Sequence, residues 1–143
     1  MTIDGLSDDD VRAILRRVRI FAVVGASAKP ERPSYGVMRF LLNQGYGVRP
    51  VNPGVAGQTI HGQEVYSNLA AIPPPADVID IFRASEAASQ VVREAIAAKD
   101  TLKPSVVWMQ LGVINEAAAA EARACGFTVV MDRCPKIEFS RLM

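Results

Sequence analysis

Ile20-Phe21-Ala22-Val23-Val24-Gly25-Ala26-Ser27-Ala28-Lys29-Pro30-Glu31-Arg32-Pro33-Ser34-Tyr35-Gly36 is the stretch that decides the fold. An apolar run ends in glycine, a loop of small residues with two cations follows, and a helix is predicted to start near Ser34. That order suits a buried parallel strand delivering backbone N–H groups and a helix N-terminus to a phosphate. The Gly-x-Gly-x-x-Gly spacing of dinucleotide enzymes is missing. Ser27 stands where its second glycine would be, and the loop is longer and carries Lys29 and Arg32. The stretch points to a nucleotide site and away from a nicotinamide one.

Upstream, Ser7 precedes three aspartates, and Val11, Ile14, Leu15 and Val18 recur at helical spacing. Arg16, Arg17 and Arg19 gather at the far end, so the charges match the helix dipole and residues 1–18 form a helical preface. Downstream, strands are predicted over 47–51, 76–82, 105–109 and 127–131, after the first over 20–24. Helices are predicted from Ser34 to a stop at Gly45, over 86–98, and over 115–125 closed by Gly126, with a short one within 66–72. The acids of the third strand, Asp77 and Asp80, are expected at exposed or terminal positions. Strands alternating with helices imply an α/β fold. The expectation is a Rossmann-like, doubly wound, five-stranded parallel sheet of order 3-2-1-4-5 with helices on both faces, one domain over residues 1–143.

Composition narrows the function. The 143 residues are 50% apolar with a net charge of +1, which argues for a packed core and against a general nucleic-acid surface. No apolar run reaches the length of a membrane span, and the first residues lack a signal core, so a cytoplasmic protein is expected, with no membrane or nucleic-acid partner. Cys125 and Cys134 make neither a disulfide framework nor a zinc set, and His61 is the only histidine. No metal site is expected, and no Ser/His/Asp set or Walker lysine assembles a catalytic centre.

Ligands of such sheets bind at the carboxyl ends of the strands, beside the switch in strand order. Those ends supply Gly25, Ala26 and Ser27; Asn52 and Pro53; Phe82 and Arg83; Gln110 and Gly112; and Cys134. NAD sites place a carboxylate at the end of the second strand, whereas this chain has Asn52. Lys29 and Arg32 beside the Ser34 helix start suit a ligand with several phosphates. Cys134 follows the last strand, and a reactive role would need an activated thiolate, with Arg133 and Lys136 as the neighbouring charges.

Five short segments in order carry a family resemblance: Val24-Gly25-Ala26-Ser27 with Arg32-Pro33, residues 47–53, Asp80-Ile81-Phe82-Arg83, residues 107–112, and Asp132-Arg133-Cys134. The chain resembles the small single-domain CoA-binding proteins, whose fold is similar to the CoA-binding domain of the succinyl-CoA synthetase alpha subunit. The resemblance implies coenzyme A or an acyl-CoA held noncovalently across the strand ends. It implies that Gly25, Ala26 and Ser27, with Lys29 and Arg32, meet the diphosphate and 3′-phosphate, and that Asn52, Pro53 and Ile72 wall the adenosine side, while Ser34 joins the binding residues as the helix start. Phe82, Arg83, Gln110 and Gly112 would line the pantetheine path. The second domain and phosphorylated histidine of the synthetase have no counterpart in these residues, so a carrier, sensor or partner module without its own turnover is expected. Two alternatives stay open: a thiol-active protein using Cys134 with CoA, and a NAD(P)-binding reductase or redox sensor. A protein partner or homodimer is left open.

Overall fold

The expected alternation of strands and helices is realised in the computed structural model, which describes residues 2–143. Helix α1 (Asp8–Arg17) leads into β1 (Ile20–Val24), α2 (Pro33–Asn43) and β2 (Gly47–Val51). A hairpin of β3 (Thr59–Ile60) and β4 (Gln63–Glu64) follows, then β5 (Val78–Ile81), α3 (Ala88–Ala97) and the short α4 (Lys99–Leu102). The chain ends with β6 (Val106–Met109), α5 (Glu116–Ala124), β7 (Thr128–Val130) and α6 (Pro135–Leu142). α1 carries a reciprocal cap, in which Ser7 Oγ accepts from Asp10 N–H and Asp10 accepts from Ser7 N–H. α2 stops where Gly45 takes a φ of +93°.

Five strands pair in parallel in the order β2-β1-β5-β6-β7. The 3-2-1-4-5 pattern is present with a parallel bridge between Val51 and Tyr66 in the third place, outside β2. There the Tyr66 N–H donates to Pro50 O and the Asn52 N–H to Tyr66 O, both at 2.9 Å. The strand predicted over 76–82 therefore takes the fourth place and pairs with residues 21–24 of β1. Its burial explains the placement: every residue of β5 is buried, which suits a central strand and not an edge. The switch in strand order falls beside β1, as expected.

Alternate residues feed two cores. Phe21, Val23, Val78, Val106, Trp108 and Val130 pack under α1, α2 and α6, while Ala22, Val24, Ile79, Ile81, Val107 and Val129 pack under α3 and α5. Helices thus cover both faces.

Three local expectations change. Asp77 is terminal, accepting from the Arg19 and Ile20 N–H groups at 2.8 Å, but Asp80 is fully buried in mid-sheet with neither carboxylate oxygen partnered. Burial pushes its carboxyl well above the usual carboxylate range. The helix expected within 66–72 is a single 3₁₀ turn, Leu69–Ala71, because Asn68 caps it and Pro73 ends it. No helix is predicted over 135–142, yet α6 forms there. Pro135 at its start and the Arg133–Glu138 and Glu138–Arg141 ion pairs hold it.

Candidate functional site: a cleft at the strand ends

A glycine follows β1 because no other residue fits. Gly25 has a φ of +92°, and a Cβ there would collide with the Phe82 carbonyl at the end of β5. The chain then turns through a loop whose own groups fix it. Ser27 N–H donates to Ser34 Oγ at 3.1 Å, Lys29 N–H to Ser27 Oγ at 3.1 Å, and Arg32 N–H to Lys29 O at 3.0 Å. Ser34 is buried in the first turn of α2, so it staples loop to helix. α2 has no side-chain cap, Pro33 at its start, and no acid in its first turn.

The N–H groups nearest the glycine are occupied. Gly25 and Ala26 both donate to Val51 O, at 2.9 and 3.2 Å, and Ser27 donates to Ser34. Among the described residues, the Ala28 and Ser34 N–H groups have no protein acceptor. They lie on either side of Lys29 and Arg32, whose side chains, like that of Arg83, make no ion pair among the described residues. The free donors thus come from Ala28 and Ser34, beyond the occupied N–H groups of Gly25, Ala26 and Ser27.

Asn52 occupies the position of the ribose carboxylate in NAD sites, and the structure gives a reason for an amide. Its Nδ2 donates to Ala26 O at 2.8 Å while its Oδ1 accepts from Gly54 N–H at 2.9 Å. The loops after β1 and β2 are tied by a residue that must donate and accept at once, which a carboxylate cannot do.

These loops border a cleft of about 910 Å³ at the carboxyl ends of the strands, a size typical of sites for small organic ligands. Eleven expected residues line it: Gly25, Ala26, Ser27, Lys29, Arg32, Ser34, Asn52, Pro53, Phe82, Arg83 and Gln110. Gln110 is 7% exposed and its Oε1 is buried without a partner among the described residues. Leu111, 56% exposed, projects from the rim.

Three expected residues lie elsewhere. Ile72 lines a second, apolar cleft of about 730 Å³ between α3, α4 and the segment after Tyr66. Gly112 is off the lining; its N–H donates to Asp132 Oδ1 at 2.7 Å, which ties the loops after β6 and β7. Cys134 is 6% exposed and packs in the core under α2 and α6. Its neighbouring charges face other partners: the Arg133 guanidinium holds Asp4 and Glu138, and Lys136 lies over the Phe40 ring. His61 is structural in its surroundings, bonded through Nε2 to Tyr35 O at 2.8 Å and through Nδ1 to Arg39 at 3.0 Å.

The sequence reading misses the far wall, where Ser67, Asn68, Val91 and Glu94 come from the 3₁₀ turn and α3. Asn68 and Glu94 line both clefts and form the neck between them. Among the described residues there is no cluster of metal-ligating side chains, and no helix is long and apolar enough to cross a membrane.

The chain is similar to several known proteins. An uncharacterized protein of Bacillus subtilis (strain 168), YneT, is 36% identical over 131 residues, 92% of this chain and 93% of its own length. A hypothetical protein from Pyrococcus horikoshii OT3 has a solved structure that superposes with a TM-score of 0.91 at 38% identity, over 99% of this chain and 96% of that one. A Thermus thermophilus structure gives a TM-score of 0.89 at 36% identity, over 96% and 100%. The family described as "CoA binding domain" matches residues 19–140, and the chain belongs to it.

Proposed function

We propose that this protein binds coenzyme A or an acyl-CoA noncovalently in the cleft at the strand ends, as a carrier, sensor or partner module without turnover of its own. One observation carries the reading. The cleft joins an uncapped helix N-terminus with two unpaired cations, Lys29 and Arg32, to an apolar wall that holds a single orphaned acceptor, Gln110 Oε1. CoA has that polarity, with phosphates at one end and a mostly apolar pantetheine arm bearing two amide N–H groups at the other. The Ala28 and Ser34 N–H groups, the Ser27 hydroxyl, Lys29 and Arg32 take the diphosphate and 3′-phosphate. Phe82 and Arg83 line the arm, and an arm amide donates to Gln110. Asn52 brings no negative charge near the 3′-phosphate, which a carboxylate there would repel.

Native mass spectrometry with CoA, with and without reductant, tests the ligand. A mass increase that survives reductant and is lost on denaturation supports noncovalent binding. An increase lost with reductant assigns thiol chemistry instead, and Cys134→Ser then locates it. Lys29→Ala with Arg32→Ala tests the phosphate end by calorimetry. The double variant should weaken CoA by about a hundredfold, as expected for two charge-assisted hydrogen bonds. It should affect dephospho-CoA much less, and equal losses for both ligands would remove the 3′-phosphate from this end.

A further inference from the structure

We infer that the neck between the two clefts is an adenine-reading site, in which Glu94 and Asn68 recognise the hydrogen-bonding edge of the base. The inference rests on the CoA reading of the main cleft and adds the specificity determinant for its nucleoside end. Glu94 is the only acid lining the main cleft among the described residues. It stands on α3 and not on the Lys29 and Arg32 loop, and a carboxylate, which would oppose a phosphate, suits a neutral ring carrying N–H donors. Gln90 Nε2 lies 3.4 Å from its Oε1 and helps to orient the carboxylate, leaving Oε2 to accept.

Asn68 supplies the opposite polarity. Its Oδ1 is taken by Ala71 N–H at 3.0 Å as the cap of the 3₁₀ turn, so the amide orientation is fixed and Nδ2 is left to donate. A donor beside an acceptor matches adenine, whose N1 accepts and whose N6 amino group donates. Guanine and hypoxanthine carry the pair in the reverse order along the edge, an O6 acceptor beside an N1–H donor, so a ring held in the orientation that suits adenine would set acceptor against acceptor and donor against donor. Beyond the neck, the second cleft is lined mainly by apolar side chains, Leu69, Ile72, Ala97 and Leu102 among them, and offers the faces of a flat base an apolar seat. Ile72 thus sits on the adenosine side.

The probe is 1,N6-etheno-CoA, in which a fused ring blocks N1 and N6 while the phosphates and pantetheine are unchanged. By calorimetry, the wild-type chain should bind it at least tenfold more weakly than CoA, and Glu94→Ala and Asn68→Ala should each weaken CoA by about tenfold, as for a hydrogen bond to a buried edge. Both variants should bind etheno-CoA as the wild type does, since the contact they remove is already lost. Both positions are surface-accessible, and circular dichroism checks that each variant is folded. Wild-type binding of CoA and etheno-CoA with equal affinity overturns the adenine site and leaves the CoA reading standing. So does an equal loss of both ligands in Glu94→Ala. Failure of wild-type chain to bind CoA at all overturns both.

Discussion

Gly25 and Gln110 show how single residues set the cleft. Gly25 lies at a positive φ and against the Phe82 carbonyl, so an added methyl meets both backbone strain and a collision. Gly25→Ala should lower stability by about 1–3 kcal/mol, the range for strained backbone positions, and push the end of β5 away from the loop. Urea unfolding checks the first effect, and an unchanged midpoint would mean that the two strand ends are free to separate. Gln110 tests the other end of the cleft. Gln110→Ala should weaken CoA by about tenfold, the value of a hydrogen bond to a buried acceptor, yet leave 3′,5′-ADP, which lacks the pantetheine arm, unaffected. Residues of this kind were legible because local chemistry marks them: a glycine after an apolar run, cations before a helix, polar side chains at strand ends. Asn68 and Glu94 carry no such mark. One caps a 3₁₀ turn, the other faces outward from an ordinary helix, and only the fold brings them to the same neck.

At the scale of elements, the sheet strands and the larger helices α1, α2, α3 and α5 follow from period, caps and breakers, and the difficulty lay in their neighbours. A strand with two aspartates reads as one that shows its acids to water, yet β5 runs through the middle of the sheet with Asp80 enclosed. Apolar residues on both sides of Asp80 outweigh one carboxyl, whose protonated form burial favours. This has a measurable consequence. The folded carboxyl titrates well above its unfolded value of about 3.9, so between that value and the folded one folding takes up a proton. The contribution of Asp80 to stability is therefore complete below that unfolded value and is lost as pH rises toward the folded one, by up to about 1.4 kcal/mol per pH unit. Asp80→Asn keeps the shape and removes the proton. Its stability relative to wild type, from urea unfolding between pH 4 and 8, should improve as pH rises from 4 toward the folded pKa. Parallel curves across that range would mean that Asp80 is ionised in the fold and held by a partner.

Across the whole molecule, the helical preface and the last helix are fastened to one another. The family match begins at residue 19, yet Asp4 is buried against Arg133 at 2.8 Å, and Arg133 also holds Glu138 at 2.6 Å. Arg141 continues the chain of charges from Glu138 to Asp8, at 3.0 and 2.8 Å, so the segment before β1 closes over α6. This long-range pairing was not legible, because nothing local links a carboxylate at position 4 with a guanidinium at position 133. The Trp108 indole adds to it by donating to Arg133 O at 2.8 Å, which sets that backbone above the sheet. Burial works to raise the Asp4 and Glu138 carboxyls, but the hydrogen bonds from Arg133, from Arg141 to Glu138, and from the Met131 and Leu6 N–H groups to Asp4 outweigh it and leave both lowered. Their stabilisation is present above the unfolded pKa values and is lost as pH falls through the folded ones, opposite in sign to that of Asp80. Arg133→Met fills the same space without the charge and leaves the enclosed Asp4 carboxylate with no counter-charge and Glu138 with Arg141 alone, at a cost of about 3–5 kcal/mol at neutral pH. As pH falls toward 3 those carboxyls are protonated in the variant while the wild type gives up its ion pairs, so the gap between the two should narrow. Urea unfolding of both chains at pH 7 and pH 3 measures it. A gap that stays constant would mean that Arg133 acts through packing and its bond to Leu6 O, and that the preface is held by α1 and the apolar core alone.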